Sequence, residues 1–274
     1  MRAAVLGSPI EHSLSPFLHR AAYAAMGLDG WRYDAFEVGE DRLPAFLAAL
    51  DGPWAGLSLT MPLKRAVLPL LDSVSELAVE VGGANTVIFR DGGAHGDNTD
   101  VYGIEQALAE AGVPAPRSAL VLGGGATAAS ALAALRNLGL GEATLAVREP
   151  ARAGETLAVA ERLGVALRVE RLDKLDALLD VDLVVSTLPG RAADEHAVRL
   201  ARVPALFDVV YSPWPTAAAL AVRQAGGTVV GGFAMLLHQA VRQVELMTGR
   251  TGVPVEAMRA AGEAELSRRS APAG

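Results

Sequence analysis

The chain has 274 residues, enough for one large or two modest domains. Hydrophobic residues make up 51% and charged residues 20%, which gives a globular core and excludes a disordered chain. The net charge of -7, without a Lys/Arg cluster, argues against nucleic acid or anionic membrane as partners, and zero cysteines exclude disulfides, thiolate chemistry and Cys-based zinc sites.

The start, MRAAVLGSPIEHS, does not read as a signal peptide, because its apolar run breaks at Gly7, Pro9 and Glu11. No stretch is long and apolar enough to span a bilayer. The expectation is a cytoplasmic chain. Residues 2–7 read as a buried strand, and Ser15-Pro16 as an N-cap followed by proline at the first helical position. Residues 31–38 read as a strand, DRLPAFLAAL as a helix, residues 54–60 as a strand, and Pro62 as the opening of a further helix. ANTVIFR and the turn Asp91-Gly92-Gly93 predict a hairpin running to Gly96, and residues 101–112 an amphipathic helix. VPAPR (113–117) reads as a hinge. Beyond it, apolar strands of about five residues alternate with helices: within SALVLGGGATAASALAALRNLG, then at 143–147, 166–170, 182–187, 205–211 and 228–232. That alternation predicts a parallel, doubly wound sheet. Two helices follow, and the SAPAG tail is expected to fray.

The fold class is therefore α/β: two α/β domains with a cleft between them. Residues 1–101 form the N-terminal substrate-binding domain and 102–232 a Rossmann dinucleotide-binding domain. The helices of 233–274 are expected to pack back onto the first domain.

Gly123, Gly124, Gly125, Ala126, Thr127 and Ala128 have the form G-x-G-x-x-A between a strand and a helix. Without Cβ atoms, such a turn brings backbone N–H groups and the helix N-terminus against a pyrophosphate. The glycines alone are also compatible with a plain tight turn. The strand and helix around them favour the dinucleotide. At the end of the second strand stand Arg148 and, four residues on, Arg152, a pair suited to a 2′-phosphate. Glu149 between them could instead accept from a 2′-OH. NADP is the expected cofactor over NAD.

Lys64 lies near a helix start, where a cation does not help the helix. Asp100 ends the polar run Gly96-Asp97-Asn98-Thr99-Asp100, and alone would read as an N-cap. Asn85 and Thr86 form a polar pair that needs partners. Ser13 and Ser15 flank Leu14, so both hydroxyls can face one ligand, although Ser15 could simply cap a helix. His12 and His19 lack a carboxylate cluster, and no metal site is expected.

Gly7-Ser8-Pro9-Ile10, His12-Ser13-Leu14-Ser15-Pro16, Leu59-Thr60-Met61-Pro62-Leu63-Lys64, Gly83-Ala84-Asn85-Thr86 and Gly96-Asp97-Asn98-Thr99-Asp100 occur in order. Together with the GGGATA turn, Ser186-Thr187-Leu188-Pro189, Asp208-Val209-Val210-Tyr211 and Met235-Leu236-Leu237-His238-Gln239-Ala240, they resemble the shikimate dehydrogenase family over almost the whole chain. The resemblance implies NADPH-dependent reduction of 3-dehydroshikimate to shikimate, a step of aromatic amino-acid precursor synthesis. It implies Lys64 and Asp100 as the catalytic pair. Ser13, Ser15 and Tyr211 would hold the ring carboxylate, and Thr60, Asn85 and Gln239 the ring hydroxyls. Thr187 would border the cofactor, with Gly232 and Met235 beside the nicotinamide. Partners would be small molecules, and the chain a monomer or homodimer.

The chain departs from the family pattern at three places. Ser58-Leu59 replaces a frequent Asn-Val, Arg148-Glu149-Pro150 keeps the arginine of the adenosine loop but not its polar neighbours, and Gly231 replaces a frequent Asp before Gly232. The chemistry fits the residues independently. A ketone needs a hydride, which the cofactor brings, and a proton, which Lys64 can donate while Asp100 orients it. Quinate or aminoshikimate dehydrogenases are alternative readings, as is a non-catalytic NADP-binding sensor, which the intact Lys64–Asp100 pair argues against.

Overall fold

The computed structural model describes residues 1–113 and 115–271. Pro114 of the expected hinge and residues 272–274 of the expected frayed tail lie outside the described residues. Two compact units are present: Met1–Thr99 with Leu237–Gly274, and Asp100–Leu236. Among the described residues no helix is long and apolar enough to cross a membrane.

The first unit runs β1 (Arg2–Gly7), α1 (Ser15–Ala25), β2 (Arg32–Glu37), α2 (Leu43–Ala48), β3 (Trp54–Leu59), α3 (Leu63–Ala66), β4 (Ser73–Val74), α4 (Glu76–Val81), β5 (Thr86–Arg90) and β6 (Gly93–Asp97). Its sheet has the order β2-β1-β3-β5-β6-β4. The β1 pairings are parallel and the β3–β5 and β5–β6 pairings antiparallel, so the sheet is mixed. The interior strands β1 and β3 are buried from Ala3 to Gly7 and from Trp54 to Leu59, while the edge strand β2 alternates in exposure. Asp91 and Gly92 join β5 to β6 at φ +51° and +77°. Two positive φ values suit the right-handed twist of a hairpin. Leu6, Leu43, Leu57, Leu63, Val67 and Val87 fill the core beside the sheet.

The second unit holds α5 (Asp100–Glu110), β7 (Ala119–Leu122), α6 (Ala126–Asn137), β8 (Glu142–Val147), α7 (Gly154–Leu163), β9 (Ala166–Arg171), β10 (Leu183–Ser186), α8 (Ala197–Leu200), β11 (Ala205–Asp208), α9 (Ala217–Gln224) and β12 (Thr228–Gly231). Every pairing in the order β12-β11-β10-β7-β8-β9 is parallel. Read from β9, this is the doubly wound dinucleotide-binding order, with its topological switch between β7 and β10. Helix α10 (Gly232–Thr248) begins in this unit, and from Leu237 its residues belong to the first, as does α11 (Val255–Ser270). Helix α11 packs against α1.

Two local expectations are corrected. Ser15 does not cap α1. Leu14 is the cap residue, its carbonyl already accepting from the N–H groups of Phe17 and Leu18, so Ser15 is the first helical residue and Pro16 the second. The strand expected over 205–211 stops at Asp208, whose carboxylate turns back to accept from the Val210 N–H at 3.2 Å.

Candidate active site

The loop Gly82–Asn85 connects α4 to β5. Helix α4 is capped at its start by the Ser75 hydroxyl, which accepts from the Ala78 N–H, and ends in left-handed Gly82. The Ala84 N–H donates to the Lys64 carbonyl at 2.8 Å, and Asn98 Nδ2 donates to the Gly83 carbonyl at 2.8 Å. A Cβ on Gly83 would come within 3.4 Å of the Lys64 carbonyl. The backbone of Lys64, the second residue of the short α3, is thus held by the loop that carries Asn85. Thr60 precedes α3. Its N–H donates to the Leu6 carbonyl, and its methyl lies where a Cβ on Gly7 would be, 2.3 Å away. Only glycine at position 7 allows that approach.

Asn85 is 1% exposed and Gln239, on α10, 6%. Asn85 Oδ1 accepts from the Thr99 N–H and the Thr86 hydroxyl, each at 2.8 Å, and Asn85 Nδ2 donates to Thr99 Oγ1 at 3.0 Å and to Gln239 Oε1 at 3.4 Å. The polar pair Asn85–Thr86 therefore finds its partners, and with Gln239 forms one buried polar cluster. Ser15 lies beside Ser13, its N–H donating to Ser13 Oγ at 3.3 Å. The Arg269 guanidinium donates to the His12 carbonyl at 2.7 Å, tying that loop to α11. His19 is fully buried, donates through Nδ1 to the Ser15 carbonyl at 2.9 Å and stacks on Tyr33. Burial pulls its pKa down to about 4, so it is neutral near pH 7.

In the second unit, Gly123, at φ +94°, follows β7. A Cβ there would sit 2.7 Å from Thr187 Oγ1, whereas one on Gly125 would meet nothing within 4 Å. Thr187 Oγ1 donates to the Leu122 carbonyl, and Thr156 Oγ1 to the Gly124 carbonyl, bracing the turn from both sides. A cavity of about 390 Å³ is lined by Gly123–Gly125, Arg148, Glu149, Arg152 and Thr187. The turn, the N-terminus of α6 and the arginines fit the pyrophosphate and phosphate of a dinucleotide. Arg152 pairs with Glu149 at 3.8 Å, both side chains largely exposed. Arg148 and Arg152 thus share one cavity with the glycine turn, and Glu149 lines it too.

Gly232 sits at the β12–α10 junction, where a Cβ would lie 1.9 Å from the Val209 carbonyl oxygen. The glycine is required by backbone approach. Met235, 8% exposed, lies on the following turn of α10. Gly231, which departs from the family pattern, is covered by Trp214: a Cβ there would meet the indole at 2.8 Å. Tyr211 follows β11 on a segment braced by Asp208, which also accepts from the Thr216 hydroxyl at 2.8 Å. Burial raises the Asp208 pKa, against those two hydrogen bonds. Asp100, 4% exposed, is the first residue of α5 and belongs to the second unit, whereas Lys64 belongs to the first. Sequence reasoning gave no role to Thr99, Asp208 or Gln243. Of these, Thr99 and Asp208 lie inside the motifs Gly96–Asp100 and Asp208–Tyr211, which is the one available signal.

Residues 5–87 match the family model described as "Shikimate dehydrogenase substrate binding domain", and residues 232–261 match "Shikimate 5'-dehydrogenase C-terminal domain". A curated relative from Synechococcus sp. (strain JA-3-3Ab), named shikimate dehydrogenase (NADP(+)), is 36% identical over 281 residues, covering 98% of this chain and 95% of the relative. Among solved structures, Mycobacterium tuberculosis shikimate dehydrogenase is 42% identical with a TM-score of 0.89, over 96% of this chain and 99% of that one. The Thermus thermophilus shikimate 5-dehydrogenase in complex with NADP(H) and shikimate is 33% identical with a TM-score of 0.86, over 96% and 99% of the two chains.

Proposed function

The chain belongs to the shikimate dehydrogenase family, and from that premise we propose that it interconverts 3-dehydroshikimate and shikimate with NADP through Lys64 and Asp100. The observation that carries the substrate half is the buried amide pair of Asn85 and Gln239, since a polyhydroxylated ring needs fixed polar partners in a site shielded from water. The bound cofactor supplies or accepts the hydride. Lys64 donates a proton to the alkoxide that forms at the reduced carbon, and in the reverse direction its neutral amine takes that proton. Asp100 accepts hydrogen bonds from the Lys64 ammonium and from a ring hydroxyl, which orients both. Ser13, Ser15 and Tyr211 donate to the ring carboxylate. Thr60, Asn85 and Gln239 hold the hydroxyls.

The Gly123–Ala126 turn receives the pyrophosphate, Arg148 and Arg152 the 2′-phosphate, and Thr187 borders the turn. Gly232 leaves room for, and Met235 packs near, the nicotinamide. The same reading carries a cytoplasmic enzyme acting as a monomer or homodimer. Lys64→Ala tests the assignment: turnover should fall by about 10²–10⁴-fold, with NADP binding little changed. Near-normal turnover would remove Lys64 from the mechanism.

A further inference from the structure

Behind Asn85 lies a buried chain of polar side chains to which the reaction gives no role. Tyr33, Ser58 and Gln243 are 0%, 3% and 1% exposed. The Tyr33 hydroxyl lies 2.6 Å from Ser58 Oγ, which lies 2.7 Å from Gln243 Oε1. Gln243 Nε2 donates to the Asn85 backbone carbonyl at 3.2 Å and to Thr86 Oγ1 at 3.0 Å.

Two main-chain groups fix every direction in this chain. The Asn85 carbonyl can only accept, so the Gln243 atom facing it is the amide nitrogen, and Gln243 Oε1 must face Ser58. Ser58 has one proton, which goes to that oxygen. Its own oxygen therefore accepts from Tyr33. Thr86 Oγ1 accepts from Gln243, and its one proton goes to Asn85 Oδ1. The Thr99 N–H can only donate, and it donates to the same Oδ1. Asn85 Oδ1 thus points inward, Asn85 Nδ2 points toward Gln239 Oε1, and Gln239 turns its Nε2 the other way. Reversing Asn85 would set its Oδ1 against Gln239 Oε1, and reversing Gln239 would set its Nε2 against Asn85 Nδ2, each at the cost of an unsatisfied group inside a buried cluster.

We propose that Tyr33, Ser58 and Gln243 are positioning residues that lock the Asn85 amide in one orientation and, through its Nδ2 on Gln239 Oε1, set which end of the Gln239 amide meets the substrate's ring hydroxyls, an inference that rests on reading Asn85 and Gln239 as substrate ligands. Ser58 is one of the departures from the family pattern, and here it forms the joint between Tyr33 and Gln243. A ring hydroxyl then meets the N–H end of Gln239 and keeps its own proton for another partner.

The test uses Gln243→Met, which nearly keeps volume and removes the directional contacts, with Ser58→Ala as a milder second variant. KM for shikimate should rise about tenfold or more in Gln243→Met, the worth of one well-placed polar contact, and less in Ser58→Ala. Turnover should stay within about threefold and KM for NADP should not move, since the loss is in ground-state binding. The decisive readout is a pair of monodeoxy shikimate analogues, each lacking one non-reacting ring hydroxyl. For at least one analogue, the variant should lose little relative to the parent enzyme. Equal losses on shikimate and both analogues would reveal ordinary core damage and overturn the proposal, as would an unchanged shikimate KM. Gln239→Ala separates the two levels. A normal shikimate KM there overturns the substrate reading and this proposal with it, whereas a raised KM there beside a normal Gln243→Met overturns the proposal alone.

Discussion

Replacing Arg148 and Arg152 together by alanine separates the 2′-phosphate from the rest of the cofactor. Both arginines line the cavity of the glycine turn, so both can reach a phosphate at its edge. A charge-assisted hydrogen bond contributes about 1.5–3 kcal/mol. Arg152 belongs at the low end or below it, because its side chain is 82% exposed and its charge is shared with Glu149 at 3.8 Å. The two together are expected to contribute about 3 kcal/mol, or roughly a hundredfold in affinity. The assay is kcat/KM for NADP and for NAD at saturating shikimate. NADP efficiency should fall about a hundredfold, with NAD within about threefold, because NAD presents no 2′-phosphate. Glu149→Gln should move the other way, releasing Arg152 and favouring NADP slightly. Equal losses with both cofactors, or a wild-type enzyme that prefers NAD, would refute the clamp and transfer the recognition role to Glu149.

Ser15→Thr adds a methyl group at a side chain that is 5% exposed, so shikimate efficiency should drop by about tenfold and its lead over quinate should narrow. Steady-state kinetics on both acids reads this, and an unchanged ratio would detach Ser15 from the carboxylate end. His19 gives a pH dependence of stability. Its folded pKa of about 4 lies below the ordinary 6.5, so between those values the unfolded chain binds more protons. Stability is therefore retained above pH 6.5 and lost as pH falls toward 4, by up to about 3 kcal/mol. Urea unfolding at pH 7 and pH 4.5 should show a smaller difference for His19→Phe than for the parent, and identical differences would contradict it.

The parallel sheet was legible because its strands are buried on both faces and read as apolar runs ending at glycine or polar residues, as ALVL before Gly123 shows. The hairpin was legible because Asp91-Gly92 has few other uses between two β-rich segments. The cap of α1 was misread because the Ser-Pro signal is local, whereas the helix start depends on Leu14 already holding helical dihedrals. Helix α4 carries its own cap in Ser75, yet six residues with little periodicity gave it no sequence signal. The site residues that lie in short motifs were readable one by one. The partners of Asn85 on α10 were not, because Gln243 stands 158 residues away and its amide is matched to Asn85 only by the fold. The Gly231 departure was visible as a departure, but its cause, the Trp214 ring, appears only when that loop is placed against β12.

Whether this chain works as an NADP-dependent shikimate dehydrogenase is read from kcat/KM of the purified protein for shikimate and quinate, each with NADP and NAD. The highest efficiency is expected for shikimate with NADP, with a clear deficit for quinate with either cofactor. Equal or better efficiency on quinate would contradict the substrate assignment, and no turnover on either acid would contradict the enzyme itself.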